Sequence, residues 1–407
     1  MLARFLYALA LAVVGSAQAA DVVFRDDFEV LQFRGLSAVG MEMYYGDFDQ
    51  TTGPVADTNY PVYDTRLIDY FASKGVSAIR LLFSWEAVQP HLYDPIPYSV
   101  ANYSAYFANY KRIVDYATDV KHIRVILEPW DAYIVPGDVY SSVSGGRWRG
   151  NVIGSAQVPT AAFADFWGKM AGNFKNNFLV SYSLIGEPNN QSTTGWFSAA
   201  QAAITAIRGS GSGSAQQIFV PGNGYTAASQ WTNSWYDTDA VQVSNADGWL
   251  NANGPGAPLS DPLGRMVVEV HSYVDCWEGG IYDEITSNTA VRDHVSVALD
   301  WAVAHGLKIY LGELGIYAGN APINNPDPAN ACPGGVLPVG ATASAAWADF
   351  INYFDANKGP FMGYSWWAGG MPDWWNDIHA AHFSISPTND VNFTGDTANM
   401  QMIQNDF

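Results

Sequence analysis

The sequence predicts one α/β domain, a single (β/α)8 TIM barrel with long loops beyond the carboxyl ends of its strands. Short apolar segments alternate with helical segments along the 407-residue chain. The apolar segments lack the alternating polarity of half-exposed strands, as expected for a parallel sheet that is buried on both faces. Several of them end at polar residues beside Gly or Pro, which is typical of the strand ends that form the functional face of such a barrel.

Each element follows from apolar periodicity and from Gly or Pro punctuation. The eight predicted strands are 31–33, 77–82, 122–128, 181–185, 217–220, 266–270, 308–311 and 362–366. The predicted helices are 65–73, 104–118, 160–173, 195–207, 289–305 and 342–357. The Gly/Ser run at 209–214 is too short for a linker, so we interpret it as a helix-to-strand loop and expect one domain over 20–407.

The composition narrows the classes of partner. The chain carries 39 acidic against 19 basic residues, a net charge of −20. Such a surface repels phosphate groups, so neither nucleic acid nor an anionic membrane is expected as a partner. A monomer is expected, although the sequence does not fix the oligomeric state. The 15 Trp residues are either packing filler or rings that stack on sugars in a groove.

The amino terminus has the pattern of an export signal. Arg4 precedes an apolar run at 5–15, and Ala17-Gln18-Ala19 offers a small-residue cleavage site. We therefore expect a signal peptide at 1–19 and a secreted or periplasmic protein, with an uncleaved anchor as the alternative. In that compartment Cys276 and Cys332 are expected to form a disulfide between two loops; two buried free thiols are the alternative. No metal or other cofactor is expected.

Two carboxylates carry the functional prediction. Glu187 and Glu313 each follow a short apolar segment in a Gly-Glu pair, and Pro188 biases Glu187 away from helix. The fourth and seventh strands of a barrel end on opposite sides of its mouth, so these carboxylates can face each other. Hydrolysis of a glycosidic bond needs one protonated and one ionised carboxyl group. The alternative is that each Glu caps a helix.

Five stretches, spread over nearly all the chain beyond the signal, form a recognisable series. In chain order they are Gly75-Val76-Ser77-Ala78-Ile79-Arg80-Leu81, Ile218-Phe219-Val220-Pro221-Gly222-Asn223, Glu269-Val270-His271-Ser272-Tyr273, Gly312-Glu313 and Trp366-Trp367-Ala368-Gly369-Gly370. Together they resemble glycoside hydrolase family 5, the cellulases and related β-glycanases, and most of all its fungal and bacterial endo-β-1,4-glucanases.

The resemblance implies a role for each matching residue. Glu187 would be the acid/base and Glu313 the nucleophile. The other implied substrate-site residues are Arg80 beneath the nucleophile, Tyr273 bonded to it, His271 near the acid/base, and Trp367 under the −1 sugar, with Trp374 following shortly after it. Trp231 is a further candidate for a sugar subsite, outside the matching stretches. For Arg80 a structural ion pair is a compatible alternative.

Two departures from the family pattern meet at the −1 subsite. Gly186 stands where the family usually has an Asn that binds the 2-hydroxyl. Trp130 and Asp131 stand where a His-Asn pair is usual. Either the activity is weaker, or the −1 sugar is not plain glucose. Asp131 or Asn189 is a candidate to supply the lost hydrogen bonding.

The sequence therefore predicts a secreted, retaining endo-β-1,4-glucanase without a cofactor, acting on a polysaccharide or oligosaccharide. The nearest alternative is the same machinery acting on another β-glycan, such as mannan or a bacterial exopolysaccharide. A catalytically silent glycan-binding barrel is a further alternative. The presence of both carboxylates with Arg80 and Tyr273 argues against it, because a pure binder does not need them.

Overall fold

The computed structural model describes residues 32–42, 51–130, 146–209, 211–275, 277–280, 285–318, 342–370 and 382–407, and the structural statements below concern these residues. The predicted signal peptide, Asp131, Trp374 and both cysteines lie outside them, so the structure tests none of those predictions.

Eight parallel strands close into a barrel, which confirms the predicted fold class. The barrel strands are Phe33–Val39 (β1), Ala78–Ser84 (β2), Arg124–Trp130 (β3), Val180–Ser183 (β6), Ile218–Pro221 (β7), Met266–His271 (β8), Ile309–Leu314 (β9) and Phe361–Gly370 (β10). Around the barrel the order is β1-β10-β9-β8-β7-β6-β3-β2, and every neighbouring pair is parallel. A small antiparallel hairpin, Arg147–Trp148 (β4) and Asn151–Val152 (β5), lies beyond β3.

Helices follow the barrel strands and cover the outside of the sheet. They are Thr65–Ser73 (α1), Trp85–Val88 (α2), Ala101–Asp115 (α3), Thr160–Phe174 (α4), Thr193–Arg208 (α5), Asn245–Leu250 (α6), Ala290–Ala304 (α7), Ala343–Ala356 (α8) and Ala398–Ile403 (α9). Several begin at a side chain that accepts an otherwise unpaired backbone N–H: Asp64 caps α1, Ser192 caps α5 and Thr342 caps α8. None of the described helices is long and apolar enough to cross a membrane.

Strand boundaries differ from the predicted ones where polar or small residues continue a strand. The predicted first strand ends before Arg34, but β1 runs on to Val39. Pro129 was expected to stop the third strand, yet β3 includes it. The Pro129 carbonyl points toward the β6 side, where it accepts from the Gly186 N–H, but the paired ladder with β6 ends at Leu127. Proline has no N–H to donate, but at position 129 that N–H would lie past the end of the β3–β6 ladder. The strand therefore tolerates proline there.

The inside of the barrel is layered. Its lower layer is an apolar cluster of Phe33, Ala78, Ile126, Phe219, Val267, Tyr310 and Met362. Because side chains two residues apart on a strand share a face, the next inward positions are two residues further along each strand. Those positions carry charge: Arg80 follows Ala78, Glu128 follows Ile126, and Glu269 follows Val267. The third layer lies at the mouth of the barrel and contains His271.

Candidate active site

Glu187 and Glu313 meet at the mouth of the barrel. One carboxylate oxygen of each, together with a ring nitrogen of His271, lies within 4.8 Å of the others. Glu187 follows the end of β6 with φ at +40°, in the left-handed region, where a side chain other than glycine is strained. Glu313 follows an irregularity in the β8–β9 ladder at Gly312, and such bulges re-aim side chains next to functional sites.

Glu313 is buried and held by two donors. Nη1 of Arg80 lies 2.8 Å from its Oε1, and the Tyr273 hydroxyl donates to its Oε2 at 2.8 Å. Burial raises the pKa of Glu313, while the Arg80 charge and the two hydrogen bonds act in the opposite direction by favouring the ionised carboxylate. These contacts suit a carboxylate that must attack as an anion.

Glu187 has the environment of an acid. Its Oε1 lies 2.8 Å from Nδ1 of His271, and its side chain keeps 18% exposure toward the mouth of the barrel. Burial raises its pKa well above the usual range, and the nearby negative charge of Glu313 raises it further. His271 is a neutral partner, because burial and the charge of Arg80 lower its pKa well below the usual range.

Arg80 lies in the layer beneath the carboxylates and is fully buried. Its Nε donates to Glu128 at 2.6 Å, its Nη2 also pairs with Glu128, and its Nη1 donates to Ser37 at 3.0 Å as well as to Glu313. This confirms the predicted position beneath Glu313 and the ion pair that was its compatible alternative. Because the guanidinium is fully buried, Arg80 is not a direct substrate contact, and its inclusion among the substrate-binding residues is corrected.

Two half-buried indoles lie beside the carboxylates. The rings of Trp130 and Trp367 are 6.4 Å apart between centroids with planes tilted by 33°, so they form one continuous aromatic surface. The peptide bond between Trp367 and Ala368 is cis. A Cβ at Gly186 would overlap the Trp130 ring and come within 2.9 Å of Oε1 of Glu128.

Two predicted substrate contacts are wrong. Trp231 is fully buried and packs against Trp249 and Trp301 on the outside of the barrel, so it cannot stack on a sugar. Asn189 is only 3% exposed. Its amide N–H donates to the Glu187 carbonyl, and its side-chain oxygen accepts from Arg147. It is therefore not free to replace a missing sugar contact.

Sequence reasoning missed several buried carboxyl groups, and three of them lie around Arg80. Glu128 pairs with Arg80, Glu269 accepts from Ser183, and Glu42 accepts from the Gly40 N–H. Two of them were visible in the pattern: Glu128 ends an apolar run as Glu187 does, and Glu269 lies two residues before His271 on the same face of β8.

It also missed several exposed aromatic residues, among them Tyr225, Trp235 and Trp277. Tyr225 is 44% exposed, Trp235 63% and Trp277 57%. The Tyr225 N–H donates to the Pro188 carbonyl, directly after Glu187. These aromatic residues lie outside every apolar helix or strand pattern, so packing in the core does not explain them. That mismatch in the sequence could have identified them as candidate sugar contacts.

By distance alone, Glu187, His271 and Glu313 could also surround a cation. The Arg80 guanidinium already lies against Glu313, and a second positive charge there would be repelled. The hydrogen bonds from Tyr273 and Arg80 orient Glu313 without a metal. We therefore interpret the three groups as proton-transfer and nucleophilic groups.

Comparison with known proteins gives one consistent picture. The model of the family "Cellulase (glycosyl hydrolase family 5)" matches residues 39–370. The chain is 28% identical to endo-β-1,4-glucanase A of Emericella nidulans over 357 residues, which are 88% of this chain and 87% of that protein.

Among solved structures, XacCel5A in complex with cellopentaose is 26% identical and superposes with a TM-score of 0.71, covering 92% of this chain and 99% of that one. Pseudomonas stutzeri endoglucanase Cel5A in complex with cellobiose is also 26% identical. Its TM-score is 0.66, with coverage of 92% and 91%.

Proposed function

Because this chain belongs to the cellulase family, glycosyl hydrolase family 5, and is a glycoside hydrolase, we propose that it is a secreted, retaining endo-β-1,4-glucanase. The observation that carries the proposal is the pair formed by Glu187 and Glu313, with carboxylate oxygens within 4.8 Å at the mouth of the barrel. Retaining glycosidases place these groups about 5–5.5 Å apart, whereas inverting enzymes leave room for a water between them.

In the first step Glu313 attacks the anomeric carbon of the −1 sugar. A bond forms between its carboxylate oxygen and that carbon, the glycosidic C–O bond breaks, and the proton of Glu187 goes to the departing oxygen. The Tyr273 hydroxyl and Arg80 hold Glu313 by separate oxygens, which fixes the direction of attack.

In the second step water replaces the departed glycan. Glu187, now ionised, takes a proton from this water. The water oxygen attacks the anomeric carbon, and the bond between that carbon and Glu313 breaks. The free enzyme is regenerated, with Glu187 protonated and Glu313 ionised. Two inversions at one carbon give net retention of configuration.

A β-1,4-glucan substrate is supported from two sides. The E. nidulans relative is named an endo-β-1,4-glucanase, and the two bacterial neighbours hold cellopentaose and cellobiose. The aromatic surface of Trp130 and Trp367 suits the flat apolar faces of a glucan chain, and so do the exposed rings of Trp235 and of Tyr225, whose backbone N–H bonds to the Pro188 carbonyl after Glu187. The chain's export-signal pattern supports secretion.

A second candidate is hydrolysis of another β-glycan, and it rests on Trp130 above Gly186. The ring face of an indole makes no hydrogen bond to a sugar hydroxyl. The −1 subsite beside Trp130 is therefore less selective for unsubstituted glucose than it would be with a polar side chain there. A mannan or a substituted glucan could then also be a substrate.

The test is turnover on a panel of soluble β-glucans, mannans and xylans by the wild type and by Glu313→Gln. We expect internal cleavage of the β-1,4-glucan at the highest kcat/KM. Glu313→Gln should lose at least about a thousandfold in kcat, because the nucleophile is gone, while still binding cellopentaose. Faster cleavage of mannan would favour the second candidate. Binding without turnover by the wild type would identify a glycan-binding barrel.

A further inference from the structure

Two buried polar atoms, one in the charged layer and one in the third layer above it, face each other without a hydrogen bond. Oε1 of Glu269 and Nε2 of His271 are 3.8 Å apart, and neither has a hydrogen-bond partner among the described residues. Both side chains are at most 2% exposed. A buried polar atom without a hydrogen-bond partner lowers the stability of the fold. Two such atoms facing each other beside the catalytic carboxylates therefore suggest a functional role.

Glycine at position 312 is what lets these atoms approach. A Cβ there would collide with Oε1 of Glu269 and lie 3.0 Å from Nε2 of His271. Glu269 and His271 are also two residues apart on β8, so both point inward. A closure of about 1 Å, within the reach of small side-chain rotations, would make a hydrogen bond of ordinary length between them.

The charges around Arg80 decide which of the two atoms carries the proton. Arg80 is hydrogen-bonded to Glu128 and Glu313, so its single positive charge already faces two carboxylates. Glu269 lies 3.7 Å from Nε of Arg80 and shares no hydrogen bond with it. A third negative charge in this fully enclosed layer would have no cation of its own, which favours a neutral Glu269.

We propose that Glu269 is a positioning residue: as a neutral carboxylic acid it donates to Nε2 of His271 and so keeps the imidazole proton on Nδ1. The Nδ1–H then donates to Oε1 of Glu187, at the 2.8 Å separation that the structure shows. The Ser183 hydroxyl, which donates to Oε2 of Glu269, leaves Oε1 to carry the acid proton.

This tautomer matters for the reaction assigned to Glu187 under the proposed function, on which this inference rests. With Nδ1–H as donor, the proton of Glu187 is on its other oxygen, Oε2, and is available to the leaving group. With the opposite tautomer, an ionised Glu269 would accept from Nε2–H, and Glu187 would spend its own proton on Nδ1. Glu269 stays protonated throughout, so it neither gains nor loses a proton during turnover.

The directions of the pKa shifts agree with this assignment. Burial, and then the charge of Glu128, raises the pKa of Glu269 well above its usual range. The pKa of His271 is lowered by burial and by Arg80, so the ring is neutral and a single tautomer can be defined.

The test is the ¹⁵N NMR spectrum of His271 in the free enzyme at pH 6, with His271→Asn used to identify its signals among the seven histidines. We expect a protonated Nδ1 and an unprotonated Nε2. Glu269→Gln should keep this tautomer, because its amide N–H can donate as the acid does. Glu269→Leu should lose the fixed tautomer. A wild-type spectrum with Nε2 protonated, alone or together with Nδ1, would overturn the proposal.

Kinetics add a second readout. Glu269→Leu should lower kcat by about tenfold or more on cellooligosaccharides, whose leaving groups need the proton of Glu187. The loss should be smaller on aryl glycosides with good leaving groups, and Glu269→Gln should recover most of it. An equal loss on both substrate types would assign Glu269 a merely structural role.

Glu86→Leu is the matched control, because Glu86 is also a buried glutamate but bonds to Ser84 and the Arg149 N–H, away from His271. Its removal should leave the His271 signals unchanged. If Glu269→Leu does not fold, the wild-type and Glu269→Gln spectra still decide the tautomer. Since the spectrum is taken without substrate, it is independent of whether the proposed substrate is the right one.

Discussion

The indole ring of Trp130 fills the space into which any side chain at Gly186 would extend. Trp130 is the last residue of β3, and Gly186 lies in the segment after the neighbouring strand β6, directly before Glu187. The two departures from the family pattern, which look independent in the sequence, are therefore one packed pair.

This pairing predicts strong coupling between the two positions. Gly186→Asn alone should lower kcat/KM on cellopentaose by at least about tenfold, because the Asn side chain collides with Trp130 and displaces Glu187. Trp130→His combined with Gly186→Asn should recover much of that loss. We expect a coupling free energy of about 1–3 kcal/mol in the double-mutant cycle. Additive effects of the two substitutions would show that the contact does not govern the site.

The environments of the two catalytic carboxyl groups predict a bell-shaped pH profile. Glu187 acts while protonated, and its raised pKa keeps it so to higher pH, so activity falls as pH rises through that pKa. Glu313 acts while ionised, so activity falls as pH drops through its own pKa. The measurement is kcat/KM against pH, which reports the free enzyme. On an aryl substrate with a good leaving group, Glu187→Gln should lose the alkaline limb; a limb that persists would assign it to another group.

Glu42 predicts a pH dependence of stability that is separate from activity. Burial raises its pKa from 4.5 to about 7. Between those values the folded protein binds more protons at this site than the unfolded chain, so the free energy of unfolding falls as pH rises through this window. The shift corresponds to at most about 3 kcal/mol.

Denaturant unfolding of the wild type and of Glu42→Gln between pH 4.5 and pH 8 measures this contribution. The Gln amide oxygen can still accept from Gly40, so the variant removes the titration and keeps the hydrogen bond. We expect a shallower decline of stability in the variant. Parallel declines in the two proteins would show that Glu42 does not titrate in this window.

Trp231 and Trp235 are four residues apart and should respond in opposite ways to removal. Trp231→Ala should lower the free energy of unfolding by about 3–5 kcal/mol, since the ring is fully buried between other indoles. Trp235→Ala should leave stability within about 0.5 kcal/mol, because the ring is 63% exposed. It should raise KM on long glucans more than on cellobiosides. If Trp231→Ala raised KM without loss of stability, its placement in the core would be wrong.

Much of the fold could be predicted from apolar periodicity. The helix over 65–73 and the strands at 217–220 and 266–270 are close to the observed elements because each is flanked by clear turn or cap residues, whereas the strand predicted at 362–366 runs on to Gly370. The extension of β1 to Val39 was missed, since Arg34, Gly35 and Ser37 do not look like a buried strand. Their polar groups have partners on both sides of the sheet: Ser37 accepts from Arg80 inside the barrel, and Arg34 pairs with Asp355 on α8 outside it.

Two of the site residues, Glu187 and Glu313, were predictable from the ends of strands. His271 and Tyr273 were identified only through the family resemblance, and the structure brings all four into contact. Trp231 was assigned to the substrate groove because a sequence does not show which face of a loop is covered; α6 and α7 cover this one with Trp249 and Trp301. Glu269 was not predicted as a site residue. The contacts that single it out are to Ser183 on β6, Arg80 on β2 and Gly312 on β9, and such contacts between strands cannot be read from spacing along one strand.

The most direct test of the central claim is the anomeric configuration of the first product, followed by ¹H NMR during cleavage of cellopentaose. Glu187 and Glu313 are close enough for direct attack by Glu313 with no water between the groups, so the account predicts that the β-anomer appears first and then mutarotates. Initial formation of the α-anomer would mean that water attacks directly and that Glu313 is not a nucleophile.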